Sequence, residues 1–123
     1  MNETKDSKNV SKAVIIKEDG ALLLLRSVGQ RFSGKWDLPG GHIHVGEDAK
    51  DGLIREVMEE TGLKLEEPII KLYDEDNITF YKARMPDKDV SLSHEHSEHK
   101  FVTKDSIPDN MSGKFKRAIK KAL

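Results

Sequence analysis

The stretch Gly41–Leu63 reads GHIHVGEDAKDGLIREVMEETGL, and its pattern decides how the rest of the chain is understood. From Asp48 to Thr61, Ala49, Leu53, Ile54, Val57 and Met58 fall on one side at about 100° per residue, the spacing of an amphipathic helix. Gly62 follows where a left-handed glycine closes a helix. Glu56, Glu59 and Glu60 stand at i, i+3 and i+4. On a helix they share an arc roughly 100° wide, bordering the apolar side without lying in its middle. Three carboxylates so close repel one another and destabilise the helix unless a cation neutralises them. Hard oxygen donors favour Mg²⁺ or Mn²⁺, and such an ion is a common bridge between protein carboxylates and a phosphate. Glu-rich helix faces are usually only solvated, so the triplet alone decides little.

Working outward, Lys12–Lys17 and Ala21–Arg26 read as two strands joined by the turn Glu18-Asp19-Gly20. The second is apolar on both faces and is expected to be central. Ser27–Lys35 is a polar loop. Pro39 biases Leu38 away from helix, so Trp36–Pro39 is a short extended piece, followed by Gly40-Gly41 and a loop over His42–Gly46. Downstream, 68–73, 78–84 and 100–103 are strand candidates. Phe115, Ala118, Ile119 and Ala122 line one side of a terminal helix that Ser112 or Asp109 would cap. Strands on either side of a central helix, with a second helix at the end, predict an α/β fold with a mixed sheet between helices.

The bulk numbers narrow the function classes. With 123 residues one domain is expected, over 12–123, preceded by a polar, mobile lead-in at 1–11. The 21 Lys+Arg nearly balance the 22 Asp+Glu, so stable binding of duplex nucleic acid is not expected. An anionic ligand therefore needs a local cluster of cations or a metal. The absence of cysteine excludes disulfides and thiolate zinc sites. The first residues lack the apolar core of a signal peptide, and the longest apolar run, Ala21–Leu25, is far too short to span a bilayer. Cytoplasmic placement without membrane association is the expectation.

The central stretch also satisfies a wider spacing, G-x5-E-x7-R-E-U-x-E-E-x-G-U with U a bulky aliphatic. Its fixed positions are Gly41, Glu47, Arg55, Glu56, Val57, Glu59, Glu60, Gly62 and Leu63. At average residue usage a chance match in this chain is on the order of 10⁻⁷. The pattern resembles the Nudix box, and the resemblance extends loosely to Lys35–Gly40 upstream and Glu95–Val102 downstream. It implies an α/β/α sandwich in which the box forms a loop–helix–loop that holds divalent cations. Glu56, Glu59 and Glu60 would be the metal ligands, Mg²⁺ or Mn²⁺ the cofactor, and the Gly41 carbonyl a further donor. Arg55 and Glu47 would pair and orient the carboxylates, a role that suits a bidentate contact. The implied reaction is attack of water on a phosphorus of a nucleoside diphosphate derivative. The base is Glu56 or Glu95, with Glu98 a third candidate.

The resemblance also makes Arg26, at the end of the second strand, a candidate phosphate contact, the alternative being a surface charge. Arg31, Lys35 and His42 are softer candidates for the same role. Phe32 and Trp36 offer rings for base stacking, with a core role favoured for Trp36. His44 stands where many relatives carry an acidic residue. The histidine pairs His42/His44 and His94/His96 have zinc-compatible spacing, and loop histidines near an anionic pocket explain them equally well. The basic helix carrying Lys114, Lys116, Arg117, Lys120 and Lys121 could meet RNA or anionic lipid, although such a helix more often packs its apolar side.

The compact chain favours a small-molecule nucleoside triphosphate as substrate, in the manner of the MutT-like branch. Dinucleoside polyphosphates, ADP-ribose-type sugars and RNA 5′-triphosphate ends are the alternatives. A nucleotide-binding module without turnover is the non-enzyme reading. An isomerase of the isopentenyl-diphosphate type fits poorly, because that chemistry calls for a cysteine. A homodimer is possible on the family pattern.

Overall fold

A computed structural model describes residues 9–123. The mobility expected for 1–8 lies outside the described residues. The elements are β1 (Val10–Lys17), β2 (Gly20–Arg26), β3 (Trp36–Asp37), β4 (Gly40–His42), α1 (Ala49–Thr61), β5 (Ile70–Glu75), β6 (Ile78–Arg84), β7 (His96–Val102) and α2 (Gly113–Ala122), with a 3-10 turn at Lys104–Ser106. β1 starts inside the expected lead-in. Val10 is held there by pairing with His42 and Ile78, contacts that no local apolar run announces. β7 starts at His96 rather than at Lys100. Its first half is polar, with Ser97, Glu98 and His99 exposed, but pairing with β2 keeps it extended.

The seven strands form one mixed sheet in the order β3-β2-β1-β6-β5, with β7 on β2 and β4 on β1. β1 and β6 run parallel from Val10↔Ile78 to Ile16↔Arg84. β1 and β2 are joined as a hairpin only at Ile16↔Ala21 and Lys17↔Gly20. They then part, and the segment 36–42 fills the gap. Its first half pairs with β2 at Leu24↔Asp37, and its second half pairs with β1 at Lys12↔Gly40. This wedge bends at Leu38-Pro39 and brings Gly40-Gly41, the start of β4, to the middle of the sheet; the bend and these two glycines together make up the Gly40-Gly41 turn.

The alternation of β1 and β2 explains two cores. Ala13, Ile15, Leu22 and Leu24 face α1, where Leu53, Val57 and Leu63 complete a buried cluster. Val14, Ala21 and Leu23 face the other way, against Leu38, Phe80, Ala118 and Ile119 under α2. The layers are therefore helix, sheet, helix, and a β2 strand apolar on both faces has a use for each.

α1 begins at Asp48, whose side chain accepts from the Asp51 N–H at 2.8 Å, and ends at Gly62 with φ 72°. Its sheet-facing stripe differs from the expected one in the last turn. Leu53, Val57, Glu60 and Thr61 are buried, while Met58 is 42% exposed. Residues 53, 57, 60 and 61 follow i, i+4, i+7, i+8, and Met58 lies about 140° round from Leu53. Glu60 thus belongs to the buried stripe rather than to its border.

Candidate active site

The C-terminal half of α1 meets the Gly40-Gly41 turn. Glu60 accepts the Gly40 N–H at 2.9 Å and is only 3% exposed. Burial pushes its carboxyl up to about 8, with nearby Lys12 and the Gly40 N–H pulling the other way. One turn earlier, Glu56 lies against the main chain of Gly41. A Cβ at position 41 would stand 2.6 Å from the Glu56 Cδ, so glycine is what admits the carboxylate to the backbone. Two carboxylates and a peptide turn thereby converge on one spot.

Arg55 fixes the outer side of this arrangement. Its Nε and Nη2 donate to the two oxygens of Glu47 at 2.9 and 3.1 Å, the bidentate pair that the resemblance implies. Nη2 also donates to the His42 carbonyl at 2.9 Å, and Nη1 reaches Glu56 at 3.3 Å and Glu59 at 3.1 Å. The Arg55 contacts, together with the His44 N–H, draw the Glu47 carboxyl down to about 2. One guanidinium thus ties the box loop to three carboxylates of the helix and its approach.

A cavity of about 650 Å³ opens over this spot. Glu56, Glu60, Gly41, His42, Glu95, Arg26, Arg31 and Lys35 all line it. Glu47, Arg55 and Glu59 do not. Glu59 is turned outward, engaged by Arg55, so the structure gathers two of the three expected metal ligands rather than three. Glu98 lies exposed on β7 and is also absent from the cavity wall. Glu95 sits in the turn before β7, where its carbonyl accepts the Ser27 N–H at 2.9 Å. Arg26 is not a free cation. Its Nη1 is 3.5 Å from Asp37 and its Nε donates to the Arg31 carbonyl at 3.0 Å. Trp36 is half-buried, packs on the α2-side core as favoured for it, and also lines the cavity. Phe32 is 64% exposed beneath the Arg31 guanidinium, at 4.9 Å.

Three residues here make contacts that the sequence reading did not foresee. Lys12 is buried in β1, and Asp37 is its partner at 3.1 Å. Asp37 also receives His96 Nε2 at 3.2 Å. Burial opposes the charge on Asp37, but Lys12 and His96 outweigh it and hold the carboxyl below its ordinary range. His96 is therefore committed to Asp37. Among the described residues no three His, Asp or Glu side chains are gathered as a ready ligand cluster, histidine sets included. The mixed apolar and charged spacing of β1 carried no signal for Lys12. The tryptophan-aspartate pair upstream of the box was the only pointer to Asp37.

The basic α2 helix packs as its apolar stripe predicts. Phe115, Ala118, Ile119 and Ala122 meet the core, Lys114 pairs with Asp76, and Arg117 pairs with Glu75. No helix among the described residues is long and apolar enough to cross a membrane.

The family model for the NUDIX domain matches residues 8–122, so this chain belongs to the NUDIX hydrolase family. The α/β/α arrangement is the one seen in solved members. It superposes on the MutT protein of Methanosarcina mazei Go1 with a TM-score of 0.75 and 30% identity, over 95% of this chain and 94% of that one. Among curated proteins, a MutT-like protein of Streptomyces ambofaciens is 43% identical over 53 residues, which are 43% of this chain and 32% of that protein. The nucleoside triphosphatase NudI of Escherichia fergusonii is 45% identical over 53 residues, 42% of this chain and 38% of NudI. Each match spans about a third of the curated relative's length.

Proposed function

We propose that the chain hydrolyses a phosphoanhydride bond of a nucleoside triphosphate with the help of Mg²⁺ or Mn²⁺. The observation that carries this reading is one cavity holding both halves of the necessary chemistry. Glu56, Glu60 and Gly41 line it, and so do Arg26, Arg31 and Lys35. The donor set fits a hard divalent ion: two carboxylates, one of them lying against the Gly41 main chain because glycine leaves room for it there. Glu56, Glu60 and Gly41 would hold the ion. When bound, it supplies neutralisation of phosphate charge and a more acidic water.

The remaining steps fall to the chain's own residues. Arg55 and Glu47 keep Glu56 in place. Arg26, Arg31, Lys35 and His42 face phosphate oxygens, and Glu59 offers a further carboxylate if Arg55 releases it. Trp36, Met111 and Phe115, which also line the cavity, supply apolar surface for the base. A volume near 650 Å³ suits a single nucleotide. The similarity to NudI, a nucleoside triphosphatase, supports the same substrate class. Water gives up its proton to Glu56, on α1, or to Glu95, in the turn before β7, both of which line the cavity.

The test is release of phosphate or pyrophosphate from a nucleotide panel in the presence of Mg²⁺. Glu56→Gln and Glu60→Gln should each lower turnover by at least 10²-fold, the order expected for loss of an acid–base or charge-stabilising group. Full activity in both variants defeats the proposal. Binding of nucleotide without turnover at saturating Mg²⁺ would favour a binding module instead.

A further inference from the structure

Lys12 is out of place by the rules that built β1. Along this strand Val10, Val14 and Ile16 share a face and pack with the α2-side core. Position 12 lies on the same face and holds a lysine that is 8% exposed. Burying an unpaired ammonium is strongly unfavourable, so its partners explain its presence. They are Asp37 Oδ1 at 3.1 Å, the Leu38 carbonyl at 3.0 Å and the Gly40 carbonyl at 3.1 Å. An ammonium has three N–H donors, and all three are used.

Two of those acceptors are main-chain oxygens of the turn that receives the glutamates. The same turn donates the Gly40 N–H to Glu60, and its next residue lies against Glu56. The turn sits where β1 and β2 part, so continuous strand pairing does not hold it on both sides. Lys12 reaches across that gap and grips the turn from behind.

We propose that Lys12 is the positioning residue of the site: it holds the Leu38–Gly41 turn in the shape that lets Glu56, Glu60 and the Gly41 main chain act together on a divalent ion. The inference rests on the metal-dependent reading above. It makes the turn, and not only the helix, a determinant of metal affinity.

The experiment is a Mn²⁺ titration of the folded protein by calorimetry, cross-checked by the paramagnetic resonance signal of free Mn²⁺. Lys12→Met keeps the length of the side chain and removes all three donors. Its Mn²⁺ affinity should fall at least tenfold, and turnover should recover partly as Mn²⁺ is raised. Ile119→Ala, a core change under α2, is the stability control. It should lower the melting temperature while leaving Mn²⁺ affinity within threefold of the wild type. A folded Lys12→Met protein that loses no more affinity than Ile119→Ala overturns the proposal. Should Lys12→Met not fold, Lys12→Gln, with two donors, takes its place under the same comparison. Wild-type protein that binds Mn²⁺ no better than Glu60→Gln overturns the underlying metal reading, and this inference with it.

Discussion

In Gly41→Ala the new Cβ would stand 2.6 Å from the Glu56 Cδ, 2.7 Å from its Oε1 and 3.0 Å from its Oε2. Ordinary carbon contacts settle near 3.5–4.0 Å, so the carboxylate must retreat by about 1 Å. The backbone at 41 is outside the positive-φ region, and the obstructing atoms are the far end of a flexible side chain. The fold should therefore survive with little loss of stability. Function should not, because a displacement of about 1 Å in a reacting group costs on the order of 10²-fold in rate. Gly40→Ala is the contrasting case. There a Cβ would lie 2.1 Å from the Ser11 carbonyl oxygen, on a backbone with φ +126°. No side-chain rotation relieves that contact, so about 3 kcal/mol or more of stability should be lost. The assay is thermal unfolding followed by circular dichroism, alongside Mg²⁺-dependent nucleotide hydrolysis. Gly41→Ala should be folded and nearly inactive, and Gly40→Ala unfolded or severely destabilised. A Gly41→Ala protein with wild-type turnover would refute the placement of Glu56 against the turn.

Two further outcomes follow from the same geometry. Glu60 ionises near 4.5 in the unfolded chain and near 8 in the folded one, chiefly because it is buried. Between those values the folded state holds the extra proton, so metal-free stability should fall as pH rises from about 5 to 8, by on the order of several kcal/mol in total. Melting temperatures across that window should show the fall, Glu60→Gln should flatten it, and a rise in stability with pH in the wild type would contradict the burial argument. Asp48→Ala removes the side-chain cap of α1. It should cost about 1 kcal/mol, or roughly 4 °C in melting temperature, with catalysis largely retained at 25 °C.

The fold was legible where local pattern and tertiary demand agree. β2 reads apolar on both faces and is packed on both. The terminal helix shows its stripe and buries it, and Ser112 caps it as one of the two expected residues. Errors gather where pairing overrules composition. Val10 and the first half of β7 are extended because β6, β4 and β2 bond to them, and nothing in NVS or HSEH announces those partners. Met58 is expected on the buried side with the other apolar residues of the helix, yet the angle set by Leu53 and Val57 gives that place to Glu60. Counted strictly from Leu53, the helical period puts Glu60 about 20° away and Met58 about 140° away, which directs a carboxylate into the sheet.

The site divides along the same line. A spacing fixed by one helix and its loop can be read from the chain, and Glu47, Arg55, Glu56 and Glu60 meet accordingly. What cannot be read is the far side of the turn, because it is assembled from four strands. Lys12 comes from β1, Asp37 from β3, Arg26 from β2 and His96 from β7, and they touch only because the hairpin splits and admits a wedge. In sequence Lys12 is a charged residue at the start of an apolar run, indistinguishable from a solvated strand end. Its burial becomes intelligible only when the main-chain oxygens of Leu38 and Gly40 are seen turned toward it. Peptide groups leave no residue signature, so a side chain whose task is to hold them escapes any reading built on residue types. It follows that supports of this kind are to be sought among buried charges on the strands behind a motif, not within the motif itself.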